Sequence, residues 1–225
     1  MLFDIIRNGF SVATLVQLVA RAFVVFCILP VHEFAHAYAA YKLGDDTARL
    51  KGRLTLNPMA HLNLWGSLMI FICGFGYATP VPVNPRRFKN PKAGMAITAL
   101  AGPLSNLVMA IMFAAFSELS AVAFDKSGVM LLGILKLFFY YAGYVNVCLA
   151  IFNLIPIPPL DGSRILTVIL PTEAYFKIMQ YERYIMIGLI VLLFTGVLTW
   201  PLNIAVNLTY GGITNLMTAI FSFAR

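Results

Sequence analysis

The sequence predicts an all-α polytopic membrane protein of about five transmembrane helices, with a re-entrant hairpin and short β-strands beside a polar cluster. Three observations predict it. Apolar residues make up 60% of the 225 and charged residues only 11%, against about 45–50% and roughly 25% in a soluble domain. So few polar side chains cannot coat a water-facing surface, and lipid becomes the solvent for most of the chain. The apolar runs are long rather than alternating, which argues against a transmembrane barrel.

The net charge is +7, from 16 Lys+Arg against 9 Asp+Glu. No Arg-rich or aromatic-interleaved basic patch points to nucleic acid. The basic residues read as loop charges that hold the cytoplasmic side. Cys27, Cys73 and Cys148 are far apart in apolar runs and read as buried thiols. The N-terminal stretch has an early Asp4 and no small-residue cleavage site, so the first apolar run is expected to stay.

That run extends from Phe10 to Tyr41, interrupted by Arg21. As helix it measures about 48 Å, more than the roughly 30 Å hydrocarbon core. Its spanning part is placed near Leu18 to Leu43, with Pro30 removing one backbone hydrogen bond. Thr47–Leu56 alternates apolar and polar residues, the period of a short strand. Such a strand would offer an edge to which another extended segment could be added. Thr79–Pro85 carries three prolines, which exclude helix. Between them Leu64–Ala78 is short, apolar and glycine-bearing. Arg49, Lys51 and Arg53 precede it, and Arg86, Arg87, Lys89 and Lys92 follow. Equal basic flanks predict that both ends face the cytoplasm, as in a re-entrant hairpin.

Met95–Phe116 predicts the next helix, with Ala99, Ala101, Gly102 and Ala110 suited to close packing. Ser117–Ser127, with Glu118, Asp125 and Lys126, reads as an extracytoplasmic loop. Val129–Phe152 returns, Pro156–Arg183 faces the cytoplasm, and Tyr184–Trp200 and Leu202–Phe223 are the last spans. No internal repeat appears. The whole of 1–225 reads as a single domain, with its core over about 18–164 and C-terminal helices over about 184–223.

His32-Glu33-Phe34-Ala35-His36 fits H-E-x-x-H. On a helix, positions i and i+4 share a face, so both imidazoles reach one metal ion while Glu33 reaches the water beside it. Polar groups inside an apolar helix are expensive and functional by default. An intramembrane hydrogen-bond cluster or proton relay is the rival reading, but a relay has no need of i, i+4 spacing. A catalytic zinc takes a third protein ligand and keeps one position open. Among nine acidic residues and three histidines, the candidates narrow to His61 and Asp161. Asp161 closes the run Asn153-Leu-Ile-Pro-Ile-Pro-Pro-Leu-Asp161-Gly162. Its prolines force irregular backbone, which at membrane depth is tolerated only against protein or a wet cavity.

Three linked elements resemble the site-2 protease family of intramembrane zinc metalloproteases, in the short bacterial form. They are HEFAH at 32–36, Gly102-Pro103-Leu-Ser-Asn106 and NLIPIPPLDG at 153–162. GRLTLNPMAH and FGYATPVPVNP between them look similar too, so the resemblance runs from about His32 to Arg164. It implies that His32, His36 and Asp161 ligate one zinc and that Glu33 is the general base. It also implies that Asn153 and Asn106 line the site. His61, read from the residues alone, is expected to cap or hydrogen-bond near the site rather than to ligate. Gly102 and Pro103 are expected to be structural. No room is expected for appended PDZ-like or CBS-like domains.

The implied reaction is peptide-bond hydrolysis in or near transmembrane segments, with single-span membrane proteins as substrates, the lipid bilayer as partner and no nucleic acid. The implied setting is a bacterial cell membrane, with the site toward the cytoplasm. Two other classes compete. A catalytically silent metal-binding scaffold on the same fold would have no use for an intact Glu33. A metal or ion transporter needs polar residues along a path, and the other helices offer little beyond Arg21, Lys136 and Asn146.

Overall fold

The computed structural model describes residues 11–61, 63 and 79–224. Helix α1 runs over Val12–Lys42. The Ser11 hydroxyl caps it by accepting from the Thr14 N–H at 3.1 Å. Between Val24 and Ile28 the helix widens into π turns. Pro30 follows directly, and its ring would crowd the carbonyl of Phe26 in a regular helix; the wider turns relieve that contact. Gly44, at a φ of 105° that favours glycine, ends α1. The Asp45 N–H returns to the Ala40 carbonyl at 2.9 Å.

The expected strand at Thr47–Leu56 is not there. Thr47–Leu50 is a turn of helix, α2. The Asp45 carboxylate accepts from the Thr47 N–H and hydroxyl, and local bonding of this kind competes with strand pairing. Gly52, at φ 67°, then turns the chain. The alternation instead places Ala48 and Leu54 on an apolar cluster with Ala37, Val81 and Val83. No strand occurs among the described residues, so substrate capture by the 47–56 segment as an added strand falls with it. Thr79–Asn84 is non-helical, as its prolines require. The hairpin expected over Leu64–Ala78 lies outside the described residues, as does Cys73.

Helix α3 covers Pro91–Ser127, with Asn90 accepting from the Ala93 N–H at its start. It continues through 117–127, where a loop was expected. Ser117 bonds the Lys136 carbonyl and Ser120 the Phe116 carbonyl, so these hydroxyls are satisfied within and between helices. Ala121 and Val122 are buried, and the helix stops only at Gly128, φ 67°. Helix α4 is Met130–Leu154, α5 Gly162–Ile169, α6 Thr172–Gln180, α7 Glu182–Phe194 and α8 Thr199–Phe221. Among the described residues, four helices are long and apolar enough to cross a membrane: α1, α3, α4 and α8. The protein is a helical polytopic membrane protein. The expected span at Tyr184–Trp200 is divided between α7, the turn at Gly196 and the start of α8. Cys27, expected to be buried, stands on the exposed face of α1.

Helix α3 is the centre of the bundle, packing on α4, α1, α5 and α8. Val24, Ile28, Phe113 and Ala142 join α1, α3 and α4, with the Phe23 and Phe113 rings edge to face at 5.8 Å. Ala110, Ala114, Val147, Val206, Tyr210 and Met217 join α3, α4 and α8. Between helices already surrounded by lipid, such contacts work through close van der Waals fit rather than water exclusion. Gly143 shows how close. A Cβ there would lie 2.6 Å from the Tyr210 hydroxyl, which donates to the Tyr140 carbonyl at 2.7 Å. Gly143→Val should therefore lower the thermal unfolding midpoint in detergent, at an overpacking cost of about 1–3 kcal/mol. Gly211→Ala, where a Cβ meets open space, should leave the midpoint unchanged or raise it.

Candidate metal centre

The H-E-x-x-H residues lie on the last turns of α1, where the helix is regular again after its π segment. His32, Glu33 and His36 are all buried. Asp161 arrives from the far end of α4. After Leu154 the chain makes tight turns through Pro156, Pro158 and Pro159, with Leu160 N–H on the Ile157 carbonyl at 2.9 Å. Gly162 then opens α5. A Cβ on it would lie 2.3 Å from the Leu154 carbonyl oxygen, so only glycine lets the loop fold back tightly enough to bring Asp161 inward.

The three side chains meet. His36 Nε2 is 3.0 Å from His32 Nε2 and 3.1 Å from Asp161 Oδ2, and His32 Nε2 is 3.3 Å from that same oxygen. Ligands at zinc bond lengths in a tetrahedron stand about 3.3–3.4 Å apart. The triangle is therefore the size of one face of a zinc tetrahedron, and it is made of two nitrogens and one oxygen, a donor set suited to that ion. The imidazole of His36 is oriented for this. Its Nδ1 donates to the Thr98 carbonyl at 2.7 Å, which leaves the Nε2 lone pair facing the cluster. Burial alone would raise the Asp161 carboxyl, but His36 and His32 beside it hold it well below the usual carboxylate range. The carboxylate is thus ionised.

Helix α3 supplies the wall. A Cβ on Gly102 would lie 2.3 Å from His36 Nε2 and 2.6 Å from His32 Cε1. Pro103 cannot donate to the carbonyl of Ala99, which loosens α3 beside the Thr98 carbonyl that His36 uses. Sequence reasoning assigned Gly102 a structural part; its place is against the two imidazoles. Thr98 was not found at all, and a backbone carbonyl leaves no mark in a sequence. Asn106, one turn further along α3, is fully buried, and neither its amide nitrogen nor its oxygen has a hydrogen-bond partner among the described residues. Asn153 is half-buried on the last turn of α4. His61 does not join the triangle. Its Nε2 donates to the Thr55 carbonyl at 2.8 Å and its own carbonyl accepts from Thr79, so the residue ties its loop to the 79–84 segment.

That segment lies beside Glu33. Glu33 Oε2 accepts from the Val81 N–H at 3.2 Å. Two carboxylates at the end of α1 hold the segment. Asp46 pairs with Arg87 at the surface, a kind of contact worth about 0–1 kcal/mol. Asp45 is fully buried and accepts from the Asn84 N–H at 2.6 Å, a charge-assisted bond of about 1.5–3 kcal/mol.

Known proteins resemble this sequence. Residues 119–196 match Peptidase family M50. Over 192 residues the chain is 41% identical to YwhC of Bacillus subtilis (strain 168), named as a zinc metalloprotease, with 85% of this chain and 87% of that one covered. The chain belongs to peptidase family M50. Two mycobacterial M50 relatives, both called Rip2 and also named as zinc metalloproteases, are 29% identical over 203 residues. The Mycolicibacterium smegmatis protein covers 87% of this chain and 73% of its own, and the Mycobacterium tuberculosis (strain ATCC 25618 / H37Rv) protein 84% and 74%. No solved structure matches the chain. The site-2 protease resemblance carried by the motifs is this same M50 family. The stretch matched directly to M50 contains Asn153 and Asp161, while the two histidines precede it.

The triangle depends on the missing Cβ of Gly102. Gly102→Ala should reduce bound metal to well under one ion per chain by atomic absorption, with helix content by circular dichroism unchanged.

Proposed function

We propose that His32, His36 and Asp161 hold the zinc of this intramembrane zinc metalloprotease and that Glu33 is its general base. One observation carries the reading: three ligand atoms from α1 and the post-α4 loop converge within 3.3 Å, beside a buried carboxylate, in a helix made to cross lipid. When bound, zinc supplies Lewis acidity to the scissile carbonyl and to the attacking water. Glu33 takes a proton from that water as its oxygen bonds to the carbonyl carbon. The same carboxyl returns the proton to the amide nitrogen as the carbon–nitrogen bond breaks. Thr98 keeps the His36 ring in one orientation throughout. The unpartnered amide of Asn106 and the half-buried Asn153 supply polar groups for a substrate backbone. A helical substrate hides its carbonyls, so it must unwind before Glu33 can act on it.

Substrates are membrane proteins, in our reading single-span ones. The reading places the protein in a bacterial cell membrane with the site toward the cytoplasm. Arg49, Lys51, Arg53, Arg86, Arg87, Lys89 and Lys92 cluster between the end of α1 and the start of α3, at the same end of the bundle as the ligands, and basic residues favour the cytoplasmic side. In this reading α7 with its following turn counts as the fifth crossing. At 13 residues α7 is only about 20 Å long, so this crossing needs the turn or local bilayer thinning to complete it.

The test is a pair of variants on a single-span test substrate. Glu33→Gln should retain zinc at the wild-type stoichiometry and lose cleavage by about a hundredfold or more. Asp161→Ala should lose both zinc and cleavage. Chelation should silence the wild type and added zinc restore it. Wild-type cleavage by Glu33→Gln would refute the base.

A further inference from the structure

The contacts at the base side of the site are more specific than hydrolysis by Glu33 alone requires. We propose that Asp45 is a positioning residue for that base: by holding the Asn84 N–H, it sets the register in which the Val81 N–H meets the Glu33 carboxylate. The proposal rests on Glu33 being the general base.

The argument starts from donors. In Thr79-Pro80-Val81-Pro82-Val83-Asn84, the prolines carry no N–H. Val81 is therefore a single donor between two residues that have none. If the segment slipped by one residue either way, Pro80 or Pro82 would face Glu33 and the carboxylate would lose its partner. Something must fix the register, and two anchors do. Val81 and Val83 both point into the cluster with Ala37, Ala48 and Leu54, as alternate residues of an extended chain do. Apolar contact is tolerant of sliding; a hydrogen bond is not. The Asp45 bond to the Asn84 N–H at 2.6 Å is the directional anchor, three residues from Val81.

Asp45 is itself immobile. Its side chain is fully buried. One carboxylate oxygen is committed to the Thr47 N–H and hydroxyl, the other to Asn84. Its N–H is fixed to the Ala40 carbonyl, one turn of α1 beyond His36. The carboxylate therefore moves with the helix that carries Glu33, and it transmits the placement of α1 to the segment facing the base. Gly44 admits the Arg87 carbonyl at 3.4 Å from where a Cβ would stand, so the same turn receives both ends of the 84–87 stretch. The surface pair of Asp46 with Arg87 lies three residues further on and is half-exposed, so it adds little to the register.

The experiment measures kcat, KM and zinc content on a single-span test substrate in proteoliposomes. Asp45→Ala and Val81→Pro should each lower kcat about ten- to a hundredfold, the scale of a misplaced catalytic group. KM and zinc content should stay at wild-type values, because an orientation lost only in the transition state appears in kcat. The double variant should be no slower than the worse single one, since both remove the same contact. Arg87→Ala should match the wild type. Asn84→Pro removes the donor while Asp45 itself stays in place, and Asn84→Ala, which keeps the donor and removes only the side-chain bond to the Arg86 N–H, is its control. Asn84→Pro decides the matter if Asp45→Ala does not fold: a kcat loss at unchanged KM supports the proposal, and wild-type kcat overturns it. Multiplying losses in the double variant, or a raised KM with kcat intact, would also overturn it. Glu33→Gln runs alongside. If Glu33→Gln cleaves normally, the base assignment fails. If it is inactive while Asp45→Ala and Val81→Pro keep wild-type kcat, only the positioning role fails.

Discussion

Two imidazole nitrogens and one carboxylate oxygen are held within 3.3 Å of one another inside an apolar bundle, and the rest of the structure follows from that constraint. A charged side chain at the centre of a membrane helix costs about 2.5–3.5 kcal/mol even by the milder scales. The carboxylate comes from 125 residues beyond the second histidine. The chain must therefore spend its few polar groups at one place and surround them with helices that are otherwise indifferent to position. Lipid contact does not tell one helix where to sit against another, so register has to come from close fit and from individual hydrogen bonds.

The closest fits are made by absent atoms. Gly102 lets α3 touch both imidazoles, and Gly162 lets the loop after α4 double back on its own carbonyls. Each removes only a methyl group, yet each decides whether two segments approach within bonding distance or are held apart. The aromatic and aliphatic contacts among Phe23, Ile28, Phe113 and Ala142 lie further along the same three helices. They fix α1 against α3, and the Thr98 carbonyl then falls on His36 Nδ1 at 2.7 Å. The packing further along the helices and the orientation of the His36 ring are thus one arrangement.

This explains what the sequence could and could not reveal. His32, Glu33 and His36 were legible because their spacing is a property of a single helix. Asp161 was legible because three prolines before an acid are incompatible with a spanning helix. The long apolar runs gave α1, α3, α4 and α8. The strand at Thr47–Leu56 failed because alternation is also what a helical turn followed by a glycine reversal looks like, once a buried Asp45 has captured Thr47. The loop at 117–127 failed because Ser117 and Ser120 spend their hydroxyls on carbonyls, so polar composition did not mean exposure. Gly102 was seen but assigned to packing, and its nearness to the imidazoles depends on the crossing of two helices, which no local pattern encodes. Asp45 carries no spacing signal of its own, and its bond to the Asn84 N–H depends on how the proline-bearing segment folds back against the turn after α1.

The two sides of the centre are held by different parts of the chain. The side of His32, His36 and Asp161 is framed by α3 and α5, through Thr98, Gly102 and Gly162. The side of Glu33 is framed by the turn after α1 and the proline-bearing segment, through Asp45, Asn84 and Val81. Only α1 belongs to both. A metal site needs three atoms at fixed separations and little else, whereas a base must also keep one oxygen free to exchange a proton. Glu33 Oε2 accepts a single N–H from a segment whose neighbouring residues have none to give. That arrangement orients the carboxylate while leaving its second oxygen without competition from the prolines on either side. The sequence Pro-Val-Pro thus does more than exclude helix: it limits how many hydrogen bonds the backbone can offer to the Glu33 carboxylate.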